Sequence, residues 1–160
     1  MDIKLRKFLQ KDLVPINNWV NNPTVTAQVI DSEIFTEPHS LEMTQGFLDS
    51  CFSEDDYQKM YVVTQVSNDE YIGQVRLYEI DIENLSSKID IVLSEPELWN
   101  KGLGKSAITE LVKLGYENFN LNTFYADVPT KNERAHSLFL ALGFESINDN
   151  NEITKYAFKK

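Results

Sequence analysis

Cysteine is nearly absent from this chain: Cys51 stands alone, so no intrachain disulfide can form. Its expected role is that of a buried or half-buried spectator rather than a nucleophile. Histidine is almost as scarce, with two residues, and no Cys/His/acid spacing suggests a metal site. No apolar run is long enough to span a membrane, and no basic-then-apolar leader is present, which favours the cytoplasm and no membrane partner. Positive charge is also in deficit: 15 Lys and Arg against 25 Asp and Glu leave a formal net charge of −10. Nucleic acid is a poor partner for such a surface, because affinity there comes from neutralising phosphates. A cationic amine is attracted instead.

What is present is enough for one domain over residues 1–160. At 42% hydrophobic residues with nine Phe, the chain can bury a substantial core. Ile3 to Phe8 alternates and reads as an opening strand. Asp12 can cap a helix over about Leu13 to Asn21, with Pro15 in its first turn and Pro23 ending the region. Thr24 to Pro38 reads as irregular, and a second helix covers about Leu41 to Phe52. Met60 to Val66 and Tyr71 to Ile80 flank Ser67-Asn68-Asp69, a hairpin signal. Further strands fall at Lys88 to Ser94 and Thr123 to Val128. Each precedes a helix, over about Lys105 to Phe119 and Lys131 to Leu142, and a hairpin from Glu145 to Phe158 closes the chain. The order β-α-α-β-β-β-α-β-α-β-β argues for an α/β (α+β) fold, one mixed sheet with helices on its faces.

The most informative stretch is Trp99-Asn100-Lys101-Gly102-Leu103-Gly104-Lys105, between an apolar strand and an amphipathic helix. Glycines let the backbone turn and expose N–H groups, and a helix start adds unpaired donors and a positive dipole end. This is a site for a phosphate or pyrophosphate. Gly104-Lys105-Ser106 looks like the end of a P-loop, but residue 99, where the first glycine would fall, is Trp. Gly102-x-Gly104-x-x-Ala107 fits the dinucleotide fingerprint, with Asp127 near the place of its ribose-binding acid. That fingerprint should follow its strand directly, whereas Glu95-Pro96-Glu97-Leu98 intervenes and too little chain remains for a doubly wound domain. A glycine-softened turn with no ligand is the plain alternative. Lys101, Lys105, Lys131 and Arg134 lie in the segments that would meet an anionic ligand, giving local compensation inside an acidic chain.

A second motif is Asn132-x-x-Ala135-x-x-Leu138-Phe139-x-x-x-Gly143-Phe144. Thr130 and Glu133 make a capping-box pattern, Ala135, Leu138, Phe139 and Leu142 make a buried stripe, and Gly143 suits the C-terminal cap. The pair of motifs resembles the GNAT N-acetyltransferases. Their coenzyme A loop, (R/Q)-x-x-G-x-(G/A), falls on Trp99-x-x-Gly102-x-Gly104, and Asn132 to Phe144 matches the later helix of the family. Leu5-Arg6 through Asp12 to Trp19-Val20-Asn21-Asn22-Pro23 is similar to the opening of the ribosomal-protein, polyamine and aminoglycoside 6′-N-acetyltransferase branch. The match covers nearly the whole element order, and its specific part spans about residues 88–144.

The resemblance implies a single GNAT-like domain with a mixed, mostly antiparallel sheet of six to seven strands, about four helices, and central strands splayed beside the glycine loop. It implies acetyl-CoA as co-substrate, no metal, and a small amine or a peptide N-terminus as acceptor; it leaves room for a homodimer. Carried over residue by residue, Ile91, Val92 and Leu93 would pair with the pantetheine arm. Asn100, Lys101, Gly102, Leu103, Gly104 and Lys105 would hold the pyrophosphate, and Asn132 would hydrogen-bond the coenzyme.

The implied reaction is attack of an amine on a thioester. An amine of pKa ~10.4 lies about 3 units above neutral pH, so a carboxylate able to take its proton would help. Asp90 and Glu79 are candidates for that base; Asp81 and Glu33 are candidates for acceptor binding. Each of these acids also has an ordinary reading as a solvated surface residue. Many family members carry Tyr, a proton donor to the leaving thiolate, where this chain has Phe139, which reads as packing beside the coenzyme arm. That departure motivates the alternative of a non-catalytic acyl-CoA-binding sensor. His39 and His136 belong to no convincing constellation; His136, off the apolar stripe, is expected at solvent or near the nucleotide.

Overall fold

The computed structural model describes residues 2–29, 35, 37–53 and 55–160. Seven strands form one sheet: β1 (Ile3–Arg6), β2 (Lys59–Gln65), β3 (Tyr71–Asp81), β4 (Ser86–Leu93), β5 (Thr123–Pro129), β6 (Glu145–Asp149) and β7 (Ile153–Lys159). Their order across the sheet is β1-β2-β3-β4-β5-β7-β6. Every neighbouring pair is antiparallel except β4 with β5. A parallel pair needs a crossover, and α4 (Leu103–Phe119) supplies it. The mixed, mostly antiparallel sheet agrees with the expected architecture.

Strand periodicity distributes the sequence over two cores. In β5, Phe124, Ala126 and Val128 are buried at every second position. With Val75, Leu77 and Ile89 they pack against Ile108 and Leu111 of α4 and Phe139 of α5 (Glu133–Ala141). The opposite face, near β2 and the start of β3, is covered by α1 (Leu13–Val20) and α3 (Leu41–Cys51). Ile16, Trp19 and Leu48 there close over Val62 and Tyr71.

α1 stops before Pro23 as expected, but the stretch after it does not begin as irregular chain. Pro23 occupies the first turn of a short helix, α2 (Pro23–Thr26), where its missing N–H costs nothing, and the Asn22 side chain caps that turn through the Thr24 N–H. The described residues thus hold five helices against the expected four, the extra one being four residues long. Asp12 does stand at the start of α1, but its carboxylate does not cap that helix. It accepts from Arg6 Nη1 and Nη2 at 2.8 and 2.9 Å and from the Leu9 N–H at 2.8 Å. At 1% exposure, a carboxylate gains more from a guanidinium than from a helix amide.

The feature that positions the site is a break in the sheet. β4 and β5 are paired only at Ser86–Thr123, Ser87–Phe124 and Lys88–Tyr125. Beyond that both strands continue, β4 to Leu93 and β5 to Pro129, with no pairing between them. The central strands splay into a wedge that opens toward the start of α4.

Candidate functional site

The loop after β4 carries the strain that a tight turn demands. Asn100 has φ +61° and Gly102, the N-cap of α4, has φ +81°. Glycine adopts such a φ without a Cβ penalty, and asparagine tolerates it better than most residues. Gly104 is needed for a different reason. A Cβ there would lie 3.3 Å from Leu138 Cδ2, close enough to press on that cleft-lining side chain, and 3.9 Å from Ile91 Cδ1, in ordinary contact. The first amides of a 17-residue helix have no intrahelical acceptor, so their N–H groups face the cleft with the positive end of the helix dipole.

Trp99 fixes the loop from beneath. Its Nε1 donates to the Leu93 carbonyl at 3.4 Å, and the Arg134 guanidinium lies 3.5 Å from its ring centroid. Burial lowers the Arg134 pKa, yet a guanidinium stays charged at any physiological pH. The stack therefore ties the glycine loop to α5 and holds a cation at the cleft.

Asn132 is 8% exposed and is the N-cap of α5. Its Oδ1 accepts the Ala135 N–H at 3.1 Å, and its Nδ2 donates to the Gln28 carbonyl at 3.2 Å. The expected Thr130–Glu133 capping box does not form. Thr130 instead donates its hydroxyl to the Asn150 carbonyl at 3.2 Å, because the β6–β7 turn passes beside it. The Asn132 amide joins the start of α5 to the chain leaving α2, across the wedge.

Two cavities meet at this crossing. The first, about 360 Å³, is lined by Ile91, Val92 and Leu93 of β4, by Asn100, Gly102, Gly104 and Lys105 of the loop and helix start, and by Asn132 and Arg134. The second, about 140 Å³, lies on the other side of the wedge and shares Ile91, Val92 and Asn132 with the first. Its remaining wall includes Trp19, Phe35, Phe47, Met60, Arg76, Asp90 and Phe139.

Most of the donor-side candidates thus converge on one cleft. Lys101 is exposed beside it, Leu103 is buried in the main core, and Phe139 belongs to the second cavity. Among the candidate acids, Asp90 lines the second cavity, where Arg76 Nε donates to its Oδ2 at 3.1 Å and Arg76 Nη2 donates to the same oxygen. Burial, the largest single influence, lowers the Arg76 pKa, but the charge and hydrogen bonding of Asp90 together with smaller contributions carry the net shift upward. Glu79 and Asp81 line neither cavity. Glu79 pairs with Lys88 at 2.9 Å, and Asp81 accepts from the Asn84 N–H and side-chain amide in the β3–β4 turn. Glu33 lies outside the described residues.

Several participants were not legible beforehand. Arg76 carries no motif; alternation along β3 alone places it with Gln74 on the side opposite Val75 and Leu77. The Cys51 thiol at the end of α3 faces the second cavity, and burial pushes its pKa up to about 11, which leaves it protonated and unreactive. His136 is not solvent-facing but half-buried, with Nδ1 2.7 Å from the Tyr156 hydroxyl and Nε2 3.1 Å from the Thr130 carbonyl. Among the described residues no cluster of His, Cys, Asp and Glu could hold a metal ion, and no helix is long and apolar enough to cross a membrane.

Known proteins match this arrangement. The family model described as an acetyltransferase (GNAT) domain matches residues 2–145. An N-acetyltransferase 9-like protein from Nematostella vectensis is 25% identical over 98% of this chain and 81% of its own length. The spermidine N(1)-acetyltransferase of Escherichia coli K12 is 28% identical over 89% of this chain and 72% of its own. Among solved structures, a spermidine N-acetyltransferase from Vibrio cholerae, in complex with CoA and spermine, superposes with a TM-score of 0.80. It is 23% identical and covers 98% of this chain and 95% of that one, a likeness of fold.

Proposed function

We propose that this chain, which belongs to the GNAT acetyltransferase domain family, moves an acetyl group from acetyl-CoA to a primary amine by direct attack on the thioester. The amine belongs to a small cationic molecule or to a protein N-terminus. The observation that carries this reading is the wedge: an unpaired edge of β4 runs from the glycine loop to a second cavity on the opposite side. The names of the spermidine N(1)-acetyltransferase and N-acetyltransferase 9-like relatives agree with an amine acceptor.

The chain's residues fit the donor. Ile91, Val92 and Leu93 offer backbone groups to the amides of the pantetheine arm, which would extend the sheet as an added strand does. Amides from Asn100 to Lys105 meet the pyrophosphate at the helix start. Lys101, Lys105 and Arg134 offset the repulsion that a net charge of −10 exerts on a phosphorylated ligand. The amide of Asn132 stands where the two cavities join.

The amine nitrogen then attacks the carbonyl carbon; the C–N bond forms, the C–S bond breaks, and the ammonium proton leaves while the thiolate gains one. Asp90 is the candidate acid on the acceptor side that lines the cavity, so it is our choice for receiving the amine proton, through water where the ion pair with Arg76 leaves room. Glu79, held by Lys88 away from both cavities, is a weaker choice, and Asp81 and Glu33 remain candidates for acceptor binding. Phe139 supplies no proton to the thiolate, which favours water as the donor. The same residue favours a second reading, a coenzyme-binding module without turnover.

Purified protein with acetyl-CoA and a panel of amines and peptides, followed by free-thiol release and calorimetry, tests both readings. Coenzyme binding with amine-dependent thiol release is the expected result. Binding without release across the panel selects the second reading, and no coenzyme binding overturns both.

A further inference from the structure

β4 and β5 part beside a cluster of charges. Their last pair is Lys88–Tyr125, and two residues further along each strand stand Asp90 and Asp127, both lining the second cavity. Arg76 grips Asp90 through Nε and Nη2. Asp127 is held less firmly: among the described residues its one partner is Lys88, whose Nζ lies 2.9 Å from Oδ2. That same Nζ also lies 2.9 Å from Glu79 Oε2. The backbone is bent to bring Glu79 there. Alternation along β3 after Val75 and Leu77 would send it into the main core. A bulge between Tyr78 and Asp81 gives that inward place to Ile80, and Glu79 takes a φ of +47°. Bulges next to a site re-aim side chains, and such strain persists only where the surroundings hold it. Glu79, Lys88 and Asp127 together carry one negative charge in excess. Residues 30–34 and 36, outside the described residues, contain no Lys, Arg or His, so that segment cannot offset it.

We propose that Asp127 is the seat of the acceptor's ammonium, and that Lys88 holds that seat until the acceptor arrives and then keeps to Glu79. The inference rests on the acetyl-transfer reading and names the acceptor-binding carboxylate within it. In the empty cavity Lys88 prevents a half-buried carboxylate from standing without a partner, which is costly. An incoming ammonium supplies the one positive charge that the three groups lack. Glu79 is exposed and lines neither cavity, so it is a positioning residue: it lets Lys88 withdraw without losing a partner. Lys88 also answers a difficulty that a lone carboxylate would raise. A carboxylate beside an ammonium favours the charged form and so opposes deprotonation. As the proton passes through water to Asp90, Lys88 returns to Asp127 and replaces the charge that the nitrogen has lost. The neutral nitrogen then bonds to the acetyl carbon and the C–S bond breaks. The nitrogen sheds a second proton while the thiolate gains one, so the products are the N-acetyl amine, coenzyme A and one proton released to solvent.

Calorimetry tests the seat without turnover, with 2-phenylethylamine, spermidine and a short peptide with a free N-terminus added in turn to the full chain loaded with coenzyme A. Asp127→Asn should weaken the tightest of the three about tenfold. Glu79→Gln should weaken it about threefold, because Lys88 then stays on Asp127; this exposed substitution gives a result even if Asp127→Asn fails to fold. Lys88→Gln should tighten it about threefold. Opposite signs at the two partners of one ion pair are what a placeholder requires, whereas a merely structural pair would move both variants the same way. With acetyl-CoA present, the acceptor KM should follow the same order, the acetyl-CoA KM should stay at the parent value, and Lys88→Gln should lower kcat. Parent-like affinity in Asp127→Asn or Glu79→Gln, weaker binding in Lys88→Gln, or no binding of any of the three overturns the proposal, whether or not acetyl transfer occurs. The expected order of affinities without transfer upholds the seat and overturns only the acetyl-transfer reading.

Discussion

Arg6 ties β1 to the start of α1 through Asp12 and to a turn 63 residues away through Asp69. Arg6 leaves β1 to grip the buried carboxylate before α1 with two N–H groups, and its Nε donates to Asp69 in the β2–β3 turn at 2.9 Å. Removing one partner of a buried pair leaves the other charge uncompensated, so Arg6→Ala should cost about 3–5 kcal/mol. A lower denaturant midpoint with an unchanged slope would show it. Asp69 behaves differently because it is only half-buried. Hydrogen bonds from Lys11 and then Arg6 hold its carboxyl well below the ordinary value of 3.8. A depressed acid stabilises the fold above its unfolded pKa and loses that contribution as pH falls toward the native value. Asp69→Asn keeps a residue tolerant of the positive φ found there, so it isolates the charge. Its melting temperature should fall below that of the parent at pH 7, and the gap should close progressively below about pH 3.8. A gap constant with pH would assign the effect to geometry instead. Within the donor cleft, Gly104→Val should weaken coenzyme binding at least tenfold, measured by calorimetry, while the circular dichroism spectrum is retained.

Elements differ in how far they could be read in advance. The glycine loop and α4 were legible because their chemistry is backbone chemistry: a left-handed turn and a close approach require particular residues at particular offsets. The start of α5 was only half legible. Its position was clear, but the choice of Asn132 over Thr130 as its cap depends on where the β6–β7 turn and the Gln28 carbonyl lie, and both are remote in sequence. The acceptor cavity was hardly legible. Its wall is drawn from α1, α3, β2, β3 and α5, and residues such as Trp19, Phe47 and Met60 are ordinary core residues until the fold brings them together. Arg76 and Asp90 become partners only through the antiparallel register of β3 and β4. The two roles of Asn132 can be separated. Asn132→Ala should cost about 1 kcal/mol through the lost cap, whereas Asn132→Asp keeps an accepting oxygen and should unfold within a few tenths of the parent. Both lose the amide donor, so both should bind coenzyme more weakly. An aspartate variant with unchanged affinity would show that the amide does not reach the coenzyme.

At the scale of the whole molecule, the order of elements followed from hydrophobic period and turn residues, and the mixed sheet followed from that order. The split between β4 and β5 did not follow from pattern, because strands that pair and strands that part carry the same alternation. The split has a consequence for how the molecule exchanges its amide hydrogens with solvent. Residues 89–93 are bound to β3 on one side and open on the other, so their amides divide into alternate classes despite sharing one strand. Those turned toward β3 should exchange only with large opening of the sheet. Those turned toward the wedge should exchange about as fast as amides in a loop. Bound coenzyme should slow the second class and leave the first nearly unchanged, so that this stretch of chain records occupancy residue by residue in deuterium.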